Sequence, residues 1–138
     1  MLCLFFLACL PPIGYGCAHD TELKAEELAG TGWVLQGAGG RDASQEGRTT
    51  LVFGKENKLS GRAACNGYFG GFELEKGSFS VGPIGATKMF CGPPLMDLEE
   101  AYLRALGNAQ RVEKQDDRLL MHCEGLEAPL AFVPFEPE

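Results

Sequence analysis

Adjacent His122 and Cys123 are the residues whose types could supply a nucleophile and its base. Their spacing argues against that pairing. Both fall in an alternating stretch from Arg118 to Cys123, and neighbours along a strand point to opposite faces, so imidazole and thiol do not meet. A buried thiol is the plainer reading of Cys123. Cys65, Cys91 and Cys123 are possible zinc ligands by type, but Cys-x-x-Cys spacing is missing and the chain holds only 2 histidines, the other being His19. Asp97, Glu99 and Glu100 could work as acid and base. They fall on the polar side of a helical pattern, where a solvated surface explains them, and Asp97 and Glu99 also suit a helix N-terminus electrostatically. Gly37-Ala38-Gly39-Gly40 lacks the Lys-Ser/Thr of a phosphate loop and leads into no helical pattern, so it reads as a flexible loop. The expectation is a chain without catalytic residues, metal or cofactor.

The elements that would position such groups are mostly strands. Trp33-Val34-Leu35 reads as a short strand, Gly37 to Gly47 as a Gly-rich polar loop with Arg41, Asp42 and Ser44, and Thr49 to Phe53 as a second strand closed by the turn residues Gly54 to Asn57. Leu59, Gly61, Ala63 and Cys65 alternate with Ser60, Arg62, Ala64 and Asn66, which predicts a half-buried strand running to a turn at Gly67. Tyr68, Gly70, Phe72 and Leu74 share one parity, and Gly70-Gly71 within that strand suggests a strongly curved sheet. Phe79 and Val81 continue the meander. Leu95, Leu98, Tyr102, Ala105 and Leu106 switch to helical spacing, predicting an amphipathic helix near 94–106 with Pro93-Pro94 at its entrance, a Glu100/Arg104 pair and a stop at Gly107-Asn108. Strands return at Arg111 to Lys114, Arg118 to Cys123 and around Leu130 and Phe132. The fold class is therefore α+β, with about seven or eight short antiparallel strands curved toward a barrel and one amphipathic helix.

Leu2 to Leu10 is an apolar run stopped by Pro11-Pro12. It is shorter than the ~20 residues that span a bilayer as a helix, and it stands where a signal peptide stands. Residues 1–16 are read as that signal peptide, 17–29 as a polar tether and 30–135 as the folded domain. Cys17, preceded by Gly14 and Gly16, resembles the lipidated cysteine of a bacterial lipobox, with plain cleavage nearby as the alternative. Roughly 120 residues remain after cleavage, enough for one domain and too few for two. The net charge of −7 repels phosphates, and no Lys/Arg cluster is present to release counterions, so nucleic acid is excluded as a partner.

Several of these landmarks together resemble the META domain, or HslJ-like, family: Trp33-x-Leu35, Leu51-x-Phe53, Leu59-Ser60-Gly61, Cys65-Asn66-x-Tyr68-x-Gly70-x-Phe72, Phe79-x-Val81-x-x-Ile84, Thr87-Lys88-Met89-x-Cys91, and Leu98-Glu99 with Tyr102-Leu103 and Leu106. The resemblance runs from about Gly30 to Phe132. It departs at Ala63-Ala64, where the family usually has Gly, at Phe90, where it has a small residue, and in the extra Cys123. The resemblance implies a compact antiparallel β structure with a helix, and an envelope protein, often a lipoprotein, associated in bacterial relatives with heat shock and novobiocin resistance. It implies no established catalytic activity.

Asn66, Tyr68, Thr87 and Lys88 are the polar members of the two most specific motifs. They would line a shared surface if Cys65 and Cys91 meet, although an Asn before Gly67 more often satisfies turn backbone, and Tyr68 shares the parity of Phe72. In an oxidising compartment a Cys65–Cys91 disulfide is expected, because both cysteines end elements while Cys123 has the inward parity of Leu119 and Met121. The leading functional reading is a non-enzymatic envelope protein acting through binding or stress protection, with another envelope protein as its partner. Alternatives are a barrel that binds a small apolar ligand and, least supported, an enzyme. Membrane association is expected only through the lipid anchor. If Cys17 is acylated, Cys17→Ser moves the protein from the detergent-requiring membrane fraction to the soluble periplasm, as fractionation and immunoblotting read; unchanged membrane attachment contradicts the anchor.

Overall fold

The computed structural model describes residues 22–44 and 47–137. The proposed signal peptide, Cys17 and His19 lie outside the described residues. Among the described residues ten strands form one antiparallel sheet: β1 (Gly32–Ala38), β2 (Arg41–Asp42), β3 (Thr50–Phe53), β4 (Lys58–Ala63), β5 (Asn66–Glu75), β6 (Ser78–Val81), β7 (Gly85–Ala86), β8 (Ala109–Gln115), β9 (Arg118–Cys123) and β10 (Leu130–Phe135). Their order is β6-β5-β4-β3-β1-β10-β9-β8, with β2 paired to β1 and β7 to β5. β6 and β8, the two ends of that order, lie against each other. The eight-strand path is thus nearly closed on itself, which covers the open edges a flat sheet would leave.

Alternation decides what faces inward. In β9 Leu119, Met121 and Cys123 are buried and Arg118 is exposed; in β5 Asn66, Tyr68 and Phe72 are buried while Gly67, Phe69 and Glu73 are exposed. Leu35, Leu51, Phe53, Leu59, Phe79, Leu130 and Phe132 complete the core. Phe53 sits edge-on to Phe72 at 5.2 Å between centroids, within the 4.5–7 Å range such pairs prefer. β5 changes partner along its length, pairing with β7 at Tyr68 and Phe69 and with β6 from Phe72 onward. Gly70 and Gly71 stand at that change, where the sequence suggested curvature.

The long helix α2 spans Pro93–Gly107, with Pro at its first turn. Tyr102, Ala105 and Leu106 face the barrel interior, and the Glu100–Arg104 pair forms on the solvent side at 2.6 Å. Such an exposed pair adds only a few tenths of a kcal/mol.

Four expectations need correction. The tether was expected to run through residue 29, yet Ala25–Leu28 form a helical turn, α1, whose Leu28 is completely buried. One apolar residue in a four-residue helix leaves no periodic signal. The loop from Gly37 to Gly47 contains a tight hairpin: β1 runs on to Ala38, and Gly39-Gly40, both at positive φ, turn it into β2. The strand expected to reach Gly67 ends at Ala63, which pairs with Asn66 across a two-residue turn of Ala64 and Cys65. Ala64 holds φ at 58°, a left-handed conformation ordinarily given to Gly, which is why no turn residue announced it. Glu99 is the fourth and is described with the site.

Close approach of β3 and β4 explains Gly61. A Cβ there would overlap the Thr50 carbonyl oxygen and lie 2.9 Å from the Tyr68 hydroxyl. A Cβ at Gly85 would instead meet the Phe69 ring at 2.5 Å, and that ring is 65% exposed and free to turn away. Gly61→Ala is therefore expected to lower unfolding free energy by about 2–3 kcal/mol and Gly85→Ala by less than about 1 kcal/mol. Urea denaturation of both variants measures this, and equal losses would contradict the backbone contact as the cause.

Candidate functional site

The two sequence motifs meet at the end of the barrel where β4 turns into β5. Asn66 opens β5 and is 1% exposed. Its carboxamide has four hydrogen-bonding positions, and all four are used. The side-chain oxygen accepts from the Thr87 hydroxyl at 2.9 Å and from the Met89 N–H at 2.6 Å. Its nitrogen donates to Glu99 Oε2 at 2.8 Å and to the Met89 carbonyl at 3.1 Å. The Asn66 backbone N–H donates to Glu99 Oε1 at 2.6 Å. One residue thereby joins the β4–β5 turn, the segment before α2, and α2 itself.

Glu99 was expected on the solvated face of the helix. It is instead 6% exposed, turned inward, and both its oxygens accept from Asn66. Four residues after Leu95, three before Tyr102 and seven before Leu106, Glu99 occupies the inward stripe of the helix, so its position, and not its charged type, is what the structure follows, with the Asn66 donors satisfying the carboxylate there. Asp97 and Glu100 are exposed.

Next to Asn66, Cys65 and Cys91 form a disulfide with their Cα atoms 5.9 Å apart, inside the 4.4–6.8 Å that disulfide geometry usually requires. Cys123 is free and buried. Burial pushes its thiol up to about 11, which keeps it protonated and unreactive at neutral pH. His122 points the other way and meets Glu113 at 3.1 Å, so the Cys-His pair does not assemble.

Tyr68 is buried, with Phe72 and away from any outer surface. Its hydroxyl donates to the Thr50 carbonyl at 2.7 Å and therefore accepts from Tyr102 at 2.6 Å. Desolvation holds both phenols well above their ordinary value, the Tyr68 hydrogen bond with Tyr102 pulling the Tyr68 phenol back in part. Neither phenol ionises at neutral pH.

The four motif residues thus do not share one surface. Asn66 and Tyr68 are interior. Thr87 is exposed as a residue but spends its hydroxyl on Asn66. Lys88 is exposed, and so are Met89 at 55% and Phe90 at 80%. Phe69, one strand position past Tyr68 and 65% exposed, lies on the outer face with Arg62, because Arg62 pairs with Gly67 and Ser60 with Phe69 across β4 and β5. Sequence reasoning missed these exposed apolar side chains: Phe90 enters it only as a departure from the family pattern, and Phe69 not at all. Among the described residues no cluster of three or more His, Cys, Asp or Glu could hold a metal ion, and no helix is long and apolar enough to cross a membrane.

The META domain family model matches residues 26–134. A protein structure solved by NMR is similar at 23% identity with a TM-score of 0.65, over 80% of this chain and 94% of that one. An NMR structure of a protein from Burkholderia xenovorans is similar at 27% identity, TM-score 0.64, over 82% of this chain and 87% of the other. The crystal structure of a DUF4847 family protein from Bacteroides vulgatus shares the fold at 13% identity, TM-score 0.56, over 82% and 98%. No curated protein matches.

Because the Asn66 amide has each hydrogen-bond direction assigned, its variants separate geometry from polarity. Asn66→Asp turns an oxygen toward Glu99 Oε2 and the Met89 carbonyl and is expected to cost about 3 kcal/mol or more; Glu99→Gln sets a donor against a donor, at about 1–3 kcal/mol; Thr87→Val loses about 1 kcal/mol. Equilibrium unfolding ranks the three. An Asn66→Asp variant as stable as the parent would remove Asn66 from this role.

Proposed function

Since the chain belongs to the META domain family, we propose that it is a non-enzymatic, exported envelope protein that works by binding another envelope protein, in a stress-protective role. The observation that carries the reading is the inversion of the Thr87-Lys88-Met89-x-Cys91 motif. Its polar backbone and the Thr87 hydroxyl turn inward to Asn66, and its apolar side chains turn out.

Met89 is held by both its N–H and its carbonyl, and Cys91, two residues on, is held by the disulfide. Lys88, Met89 and Phe90 are presented from a segment that cannot fold back to hide them. A rigid exposed apolar group loses little conformational entropy on binding, and such groups mark interaction sites. Arg62 and Lys88 add positive charge beside them on a chain of net charge −7, which suits an acidic partner surface. The Cys65–Cys91 disulfide supports export, because such bonds persist in oxidising compartments. A catalytic reading has less support: the motif polar groups are committed to each other, and the buried thiol and phenols are held in their neutral forms.

The test places a photo-crosslinking amino acid at Phe90 and, as a control, at exposed Glu73, in cells producing the exported chain. A defined adduct from position 90 that is absent from position 73, and that Phe69→Ser abolishes without changing the melting temperature, is the expected result. The same set of adducts from both positions would mean that this face has no specific partner.

A further inference from the structure

The side of α2 turned away from Asn66 borders a cleft of about 260 Å³ between the helix and the β1–β2 hairpin. Leu98, Ala101 and Ala105 form its helix wall, Ala38 and Gly39 its hairpin wall, and Leu130 closes it. The cleft is left by small side chains where the helix and hairpin face each other. Its volume lies below the ~300–1,000 Å³ of sites for drug-sized ligands, which points to a smaller molecule than a lipid or an antibiotic.

Its charged groups stand on opposite walls. Asp42 and Arg41 belong to the hairpin and Asp97 to the helix. Asp42 already accepts from the Ser44 hydroxyl at 2.6 Å and the Ser44 N–H at 2.9 Å, bonds that hold its carboxyl below the usual range. Arg41 and Asp97 make no ion pair among the described residues. Among the described residues the lining therefore offers a guanidinium on the hairpin wall and a carboxylate on the helix wall that make no ion pair, with apolar side chains lining the rest of the cleft. We infer that this cleft binds a small zwitterion with an apolar side group, of the chemistry of a free apolar α-amino acid, its carboxylate on Arg41, its ammonium on Asp97 and its side chain against Ala101 and Leu130. A fatty acid would leave Asp97 facing an apolar tail, and a simple amine would leave Arg41 unused. Recognition of a carboxylate by a guanidinium and of an ammonium by a carboxylate are both charge-assisted and directional.

This inference does not depend on Phe69 or Phe90, neither of which lines the cleft. Its test is a ¹H–¹⁵N NMR titration of the exported chain with L-leucine and L-phenylalanine, with 4-methylpentanoate and isoamylamine as probes carrying one charge each. Saturable shifts at the amides of Ala38, Leu98 and Ala101 are expected for an amino acid, at an affinity at least about tenfold tighter than for either single-charge probe. Ala101→Phe, which fills the cleft from an exposed position, should abolish the shifts while the melting temperature holds. Arg41→Gln should weaken the amino acid about tenfold and leave isoamylamine unchanged. Absence of saturation by both amino acids at about 10 mM, equal binding of the single-charge probes, or binding that survives Ala101→Phe would each overturn the inference.

Discussion

A buried primary amide must satisfy two donors and two acceptor positions at once, and the geometry that does so is narrow. Asn66 meets that demand with partners from two places in the chain: Thr87 and Met89 before the helix, and Glu99 within it. Each partner is also served by the arrangement. Glu99 could not remain inside the barrel without the two N–H groups that Asn66 offers, since an unpaired buried carboxyl is costly. The stretch from Thr87 to Cys91 has no ladder of its own beyond the Thr87 N–H to Gly67 carbonyl bond, so Asn66 substitutes for a strand partner. The disulfide at the adjacent residue secures the same junction covalently.

Helix and barrel are further matched by the Tyr68–Tyr102 contact, where ring centroids stand 5.7 Å apart and the hydroxyls share a hydrogen bond. Tyr68 can reach Thr50 only because Gly61, between them, carries no side chain. The polar chemistry of this end of the molecule is therefore consumed in holding the helix to the sheet. What remains for solvent on the motif face is apolar and basic, and what remains on the opposite face of the helix is a small cleft bordered by Arg41, Asp42 and Asp97.

Period-two alternation identified β4, β5, β6, β8 and β9, the two-residue β7 being too short to alternate, and period 3.6 placed α2 to within a residue or so of its ends. Ala64 defeated the same reasoning, since a turn built on a left-handed alanine has none of the Gly, Asn or Asp that mark turns. Leu28 was invisible because a single buried residue in a four-residue helix has no period. Glu99 shows the deeper limit: its helical position belongs to the inward stripe with Tyr102 and Leu106, its charged side chain argues for solvent, and a partner distant in sequence is what lets the carboxylate keep that place. Asn66 and Thr87 were legible as a pair of motifs that should meet. That their meeting would be inward was not, because the direction depends on the Ala64–Cys65 turn.

The position of β1 bears on how the sheet is completed. β1 lies between β3, a near neighbour in sequence, and β10, the last strand. A chain that emerges from its N-terminus first can pair β1 with β3 and extend through β4 and β5, but the other edge of β1 stays open until Leu130–Phe135 arrives. That edge runs along Trp33-Val34-Leu35, an unprotected apolar template of the kind that joins foreign strands. The β1–β10 pairing spans nearly the whole described chain, so its loop-closure entropy falls at the end of folding. A chain of this topology spends its synthesis with its most adhesive edge exposed, and it is completed by the last strand to arrive.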